Sequence, residues 1–134
     1  MTETPPFTIL VPLDGSPEAL GALPYAVALS GAGATIDLLT VIHDASEQAT
    51  AENQLLAASQ GLDDPTITVQ TRTLTGDPAE KIVEAAANGG ASMIVMVSHA
   101  RGAFGRLIHG APQQHPAREE GVHVWREFAF QHAA

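Results

Sequence analysis

Four short apolar runs punctuate the first hundred residues, and between them apolar positions recur at helical spacing. Thr8–Leu13 is the first run; it stops at Asp14–Gly15–Ser16 and predicts a buried strand followed by a turn. Ser16 then reads as an N-cap with Pro17 at the first helical position, where the missing N–H is harmless. Leu20, Leu23 and Val27 continue the helix, Pro24 predicts a kink because it removes the bond to the carbonyl of Leu20, and Gly31 and Gly33 predict the end. Ile36–Ile42 reads as a continuous rather than an alternating run, the mark of a strand covered on both faces, closed by His43–Asp44. Glu47–Gln60, with Leu55, Leu56 and many alanines, predicts a helix, and Asp63–Asp64–Pro65 a turn. Thr66–Leu74 alternates through Ile67 and Val69 among threonines, which suits an edge strand with one wet face.

Gly76–Asp77–Pro78–Ala79–Glu80 is a helix start with Asp77 as N-cap, Pro78 at the first helical position and Glu80 three residues after the cap. Ile82, Val83, Ala86 and Ala87 are the expected buried face, Gly89–Gly90 the stop, and Ser92–Val97 a fourth buried strand. Strands alternating with helices predict an α/β fold, with a parallel sheet covered by helices on both faces. Neither a repeat nor a domain boundary shows, so residues 1–134 are read as one domain. In such sheets ligands bind beyond the carboxyl ends of the strands, where the strand order reverses. The residues to read for chemistry are therefore Asp14–Gly15–Ser16, His43–Asp44 and Ser98–Gly110.

Composition narrows the classes. Hydrophobic residues make up 45% and charged residues 16%, a globular rather than a disordered balance. The chain has no cysteine, which excludes disulfides, thiolate metal sites and a cysteine nucleophile. No apolar run approaches the ~18 residues of a membrane helix, and Met1–Phe7 lacks the basic and apolar regions of a signal peptide, so a soluble cytoplasmic protein with no membrane partner is expected. A net charge of −9 argues against nucleic-acid binding, which relies on cations that displace counterions. That charge is uneven: residues 1–96 hold twelve acids against two bases, Arg72 and Lys81, whereas residues 97–134 hold three acids against four arginines. An anion is therefore expected in the last third, if anywhere.

Most catalytic constellations fail. His43, His99, His109, His115, His123 and His132 show no pair at the spacing of a zinc helix motif, so no metal is expected. Asp14, Ser16 and His99 lack a nucleophile elbow, and Ser16 is better explained as a cap. Gly102 and Gly105 match no dinucleotide fingerprint. A noncatalytic protein is the expectation.

Ile9–Pro17, Gly76–Ile82, Ile94–His99 and the loop Ser98–Gly110 together resemble the universal stress protein family, over residues 7–111. The resemblance implies a Rossmann-like, adenine nucleotide alpha hydrolase-like fold: an open, mostly parallel five-stranded sheet in the order 3-2-1-4-5. It also implies a homodimer paired through the fifth strand and, in one branch of the family, ATP with magnesium. Carried over by position, Pro12, Leu13 and Asp14 lie where the family meets the nucleoside, and Val41 where backbone faces the adenine ring. Ser98, His99 and Arg101 stand within the nucleotide loop. That loop reads Gly, two residues, Gly, nine residues, Gly, then Ser or Thr, and these places fall here on Val97, Ala100, Gly110 and Ala111.

Only Gly110 matches. Glycines at such places give positive φ and let N–H groups approach phosphates; replacing two of them and losing a hydroxyl removes about 3–5 kcal/mol, enough to move a micromolar site to about millimolar. The expectation is a cytoplasmic stress-response domain with weak or no ATP binding; the alternative is an ATP-binding member acting as a nucleotide-dependent switch or very slow ATPase. Residues 111–134 depart from the pattern. Ala111–Pro116 carries two prolines, poor material for a helix, while Gly121–Phe130 alternates and is the candidate fifth strand. The dimer edge is correspondingly open.

Overall fold

In the computed structural model, which describes residues 7–15, 17–31, 33–97, 114–116 and 122–126, the four apolar runs become four parallel strands. They are β1 (Thr8–Pro12), β2 (Thr35–Ile42), β3 (Thr68–Thr75) and β4 (Met93–Val97), and the helices between them are α1 (Ala22–Leu29), α2 (Gln48–Gln60) and α3 (Pro78–Asn88). Short 3-10 turns, Glu18–Gly21 and Ala45–Glu47, lead into α1 and α2. The strands stand in the order β3-β2-β1-β4, as expected. Right-handed crossovers place the helices: β1-α1-β2 and β2-α2-β3 step one way and put α1 and α2 on one face, whereas β3-α3-β4 steps back across β1 and β2 and puts α3 on the other. Two cores result. Ile9, Val11, Ile36, Leu38, Val95 and Leu55 pack beneath α1 and α2; Leu10, Leu39, Ile94 and Met96 pack against Ile82, Ala85 and Ala86 of α3.

The fifth position departs from expectation. It is filled by β6 (Val122–Arg126), which runs antiparallel to β4 with Val97 opposite Val122, and a three-residue strand, β5 (Gln114–Pro116), lies outside it. A parallel fifth strand needs a long crossover. Here β6 follows β5 after five residues and pairs with it antiparallel, so that β6 lies between β5 and β4. Pro116, which has no N–H for a ladder, sits on the outermost strand, where prolines in sheets belong.

Three local expectations are corrected. Pro24 does not kink a long helix: the helix begins at Ala22 after a 3-10 turn, so Pro24 stands in the first turn, where no intrahelical bond is lost. The buried face of α3 is Ile82, Ala85 and Ala86, with Val83 half-buried and Ala87 exposed, because three- and four-residue steps share a face and five-residue steps do not. The run Ile36–Ile42 is not uniformly apolar in its packing: Asp37 is buried within it and takes a bidentate bond from Arg72 of β3, Nη2 to Oδ2 at 2.7 Å and Nε to Oδ1 at 3.2 Å. The Asp77 cap forms as expected, with its carboxylate accepting from the Glu80 N–H at 3.1 Å. Ser16, the expected cap of the first helix, lies outside the described residues.

Candidate functional site

The crevice forms because the strands end at different heights. β1 pairs with β4 only through Ile9–Met93 and Leu10–Ile94, after which the two strands part. Beyond Leu10, β1 continues along β2 to Pro12, opposite Leu39, and the Leu13 N–H then donates to the Leu39 carbonyl at 2.7 Å. β1, flanked by β2 and β4, is the strand at which chain order reverses, so this opening is the switch-point crevice.

β2 outlasts β1. It remains in register with β3 through Ile42–Thr75, three residues beyond its last rung with β1. Successive residues of a strand in a parallel ladder turn their N–H and C=O to alternate neighbours. Leu39 faces β1 and Ile42 faces the β3 side, where its carbonyl accepts from the Gly76 N–H at 2.9 Å. Val41 therefore faces β1, at a height where β1 has already turned away. Its N–H and C=O, adjacent and parallel, meet no partner among the described residues. The Val41 side chain points the other way, half-buried against the α3 core.

Asp14 follows at the carboxyl end of β1 and is exposed. Gly15, at φ +87°, makes the turn that lets the chain leave the sheet; a side chain there would be strained and would meet Gln54 Oε1 at 3.2 Å. Asp44 lies at the end of β2. The Ser46 hydroxyl and the Ser46 N–H, the latter at 2.7 Å, bind its carboxylate and hold its pKa below the usual carboxylate value, with the neighbouring His43 adding to the effect. The rim built by β1 and β2 is thus acidic, with Asp14 on one side and Asp44 on the other.

Of the residues expected at the site, Pro12, Leu13, Asp14 and Val41 converge on this crevice, and Val97 closes β4 beside it. Ser98, His99, Ala100, Arg101, Gly110 and Ala111 lie outside the described residues. One part of the expected penalty is removed. Val97 occupies a ladder position opposite Val122, so no left-handed backbone is asked of it. Among the described residues no three metal-ligating side chains come together, and no helix is long and apolar enough to cross a membrane.

The sequence reading missed a second concavity, a cleft of about 830 Å³ between α1 and α2. A signal was present: residues 19–36 carry no charge at all, an unusual composition for a helix that faces water, and the facing stretch of α2 offers Ala57, Ala58 and then Gly61.

Comparisons agree with this architecture. The family model described as the universal stress protein family matches residues 7–119. Among solved structures, the chain is similar to hypothetical protein MJ0577, with a TM-score of 0.64 and 24% identity over 76% of this chain and 87% of that one. It is also similar to protein Rv1636 from Mycobacterium tuberculosis H37Rv, with a TM-score of 0.61 and 22% identity over 83% and 86%. At these identities the two structures speak to the fold. No curated protein matches the chain.

Proposed function

The chain belongs to the universal stress protein family, and from that premise we propose that it is a noncatalytic cytoplasmic stress-response domain whose crevice accepts the adenosine part of a nucleotide weakly and does not grip the phosphates. The observation that carries this reading is the open Val41 edge. A backbone N–H beside a backbone C=O complements the acceptor and donor on the pairing edge of adenine, and among the described residues it meets no partner because β1 stops short of β2. Against a triphosphate stand the acidic rim of Asp14 and Asp44 and the loop positions Ala100 and Ala111, where the family places Gly and Ser or Thr.

Isothermal titration with adenosine and with ATP–Mg²⁺ tests it. Both are expected to bind at about millimolar level, within a factor of a few of each other, and Asp14→Ala to weaken adenosine more than ATP, whose phosphates the carboxylate no longer repels. ATP bound a hundredfold tighter than adenosine overturns the reading in favour of a nucleotide-dependent switch; adenosine failing to bind at all removes the nucleoside site. The same reading includes a homodimer. The edge available beyond β4 is the β5–β6 pair, ending on Pro116, and sedimentation equilibrium measures whether it pairs.

A further inference from the structure

The cleft between α1 and α2 shares Leu13 and Gly15 with the mouth of the crevice, but the rest of its lining takes no part in the nucleotide reading. Leu20, Leu23 and Val27 form one wall, and Ala57, Ala58 and Gly61 the other. Its volume of about 830 Å³ lies within the roughly 300–1,000 Å³ typical of small-molecule pockets. Two polar features interrupt the apolar lining. Thr40 faces the cleft from β2, on the same side as Ile36 and Leu38; it is only 6% exposed, and its hydroxyl has no hydrogen-bond partner among the described residues. Buried hydroxyls are almost always bonded, and leaving one unmade is costly, so this group marks a place for a ligand atom.

At the other end, just past α2, the cleft is lined by Asp63 and Asp64. Asp64 accepts from the Thr66 hydroxyl at 2.7 Å and the Thr66 N–H at 2.9 Å, bonds that favour its ionised form. The basic side chains described are engaged elsewhere, Arg72 with Asp37 and Lys81 with Glu84. Because α2 runs antiparallel to the strands, the two polar ends lie apart along the sheet. Thr35 pairs with Thr68, close after the aspartates, and Thr40 is five strand residues further on, roughly 17 Å at ~3.3 Å per residue.

We propose that this cleft binds an elongated amphiphilic monocation, with an apolar chain between the helices, an ammonium head at Asp63 and Asp64, and an uncharged hydroxyl or carbonyl on Thr40 Oγ1 at the far end. The depth of Thr40 selects a thin chain over a protein helix, and the paired carboxylates select a cation over a fatty acid. Calorimetric and NMR titrations below micelle-forming concentrations, with three matched probes, test it: an ω-aminodecanol, decylamine and an ω-hydroxydecanoate.

The aminodecanol is expected to bind saturably, several-fold tighter than decylamine and at least tenfold tighter than the hydroxydecanoate. Thr40→Val erases the first difference, and Asp63→Asn together with Asp64→Asn erases the second. Asp63→Asn alone, which leaves the Asp64 turn intact, gives part of that loss. Ala57→Phe, at an exposed helical position, fills the cleft and abolishes binding while circular dichroism and melting temperature stay unchanged. Three probes that bind alike, an aminodecanol that does not saturate, or an Ala57→Phe variant that binds as the parent does each overturn the proposal.

Discussion

The two faces of the sheet are built from the same kinds of residue and end up differently closed. Beneath α3, Ile82 and Leu39 are fully buried, Ala85 and Ala86 almost so, and the Asp37–Arg72 pair braces β2 against β3 beside the end of that helix, where Arg72 Nη2 comes within 3.7 Å of a Cβ built on Gly89. Beneath α1 and α2, Leu23 and Val27 are only partly buried, Leu20 and Leu29 are each 45% exposed, and a cleft separates the helices. The difference follows from topology. One helix seated across the middle of the sheet can bring its whole apolar stripe to bear. Two helices sharing a face must also fill the space between themselves, and the alanines of α2 and the glycine that follows it do not fill it. Such a gap in a native protein is where a ligand or a partner finds room.

The most direct way to break this comparison is to make the same truncation on both faces. Ile82→Ala removes a fully buried side chain from a closed core and is expected to cost about 3–4 kcal/mol. Leu23→Ala opens a cleft that already exists and is expected to cost about 1 kcal/mol. Urea denaturation measures both; equal losses would mean that the two faces are packed alike. An intermediate effect is expected at the brace. Arg72→Ala leaves Asp37 buried without its cation, worth about 2–3 kcal/mol once the solvent reaching the one-third exposed arginine is allowed for. Asp37→Leu combined with Arg72→Leu should recover most of that loss, because an apolar pair of similar volume carries no desolvation penalty.

The smallest effect concerns pH. Asp44 and Asp64 have carboxyls held below their ordinary value in the fold by Ser46 and Thr66. Each therefore contributes stability that is present above the unfolded pKa of 3.8 and is lost as pH falls through the lower folded value. Asp64→Asn should lower the melting temperature slightly at neutral pH and make the acid limb of the profile shallower below about pH 4, so that variant and parent converge in acid, with Asp44→Asn behaving likewise at the opposite end of the sheet.

Much of this was legible because it is local. Asp77, Pro78 and Glu80 announce α3 through bonds that span three residues, and Gly15 announces the turn after β1 through a backbone angle only glycine adopts freely. Pro24 was misleading for the same reason. Its effect depends on where the helix starts, and that start is decided by how Ala19, Ala22 and Ala26 seat against the sheet. Asp37 and Arg72 could each be read only as one polar residue in a strand, since their pairing needs the register of β2 against β3. Asp14 and Val41 were singled out by resemblance, yet the open backbone edge at Val41 on which the proposal rests belongs to no residue alone. It arises from β1 ending three rungs before β2.

By itself the sequence determined the alternation of strands and helices, the parallel direction of the first four strands and the capped start of α3, while their order in the sheet came with the family resemblance. Alternation, direction and cap follow from periodicity, from backbone angles and from the handedness of short connections, all of which act over a few residues at a time. Only the tertiary structure decided that β6 would lie antiparallel to β4, that Thr40 would be buried with no hydrogen-bond partner among the described residues, and that α1 and α2 would stand apart. Those outcomes depend on volumes and strand lengths compared across the whole sheet, and no window along the chain contains both sides of such a comparison.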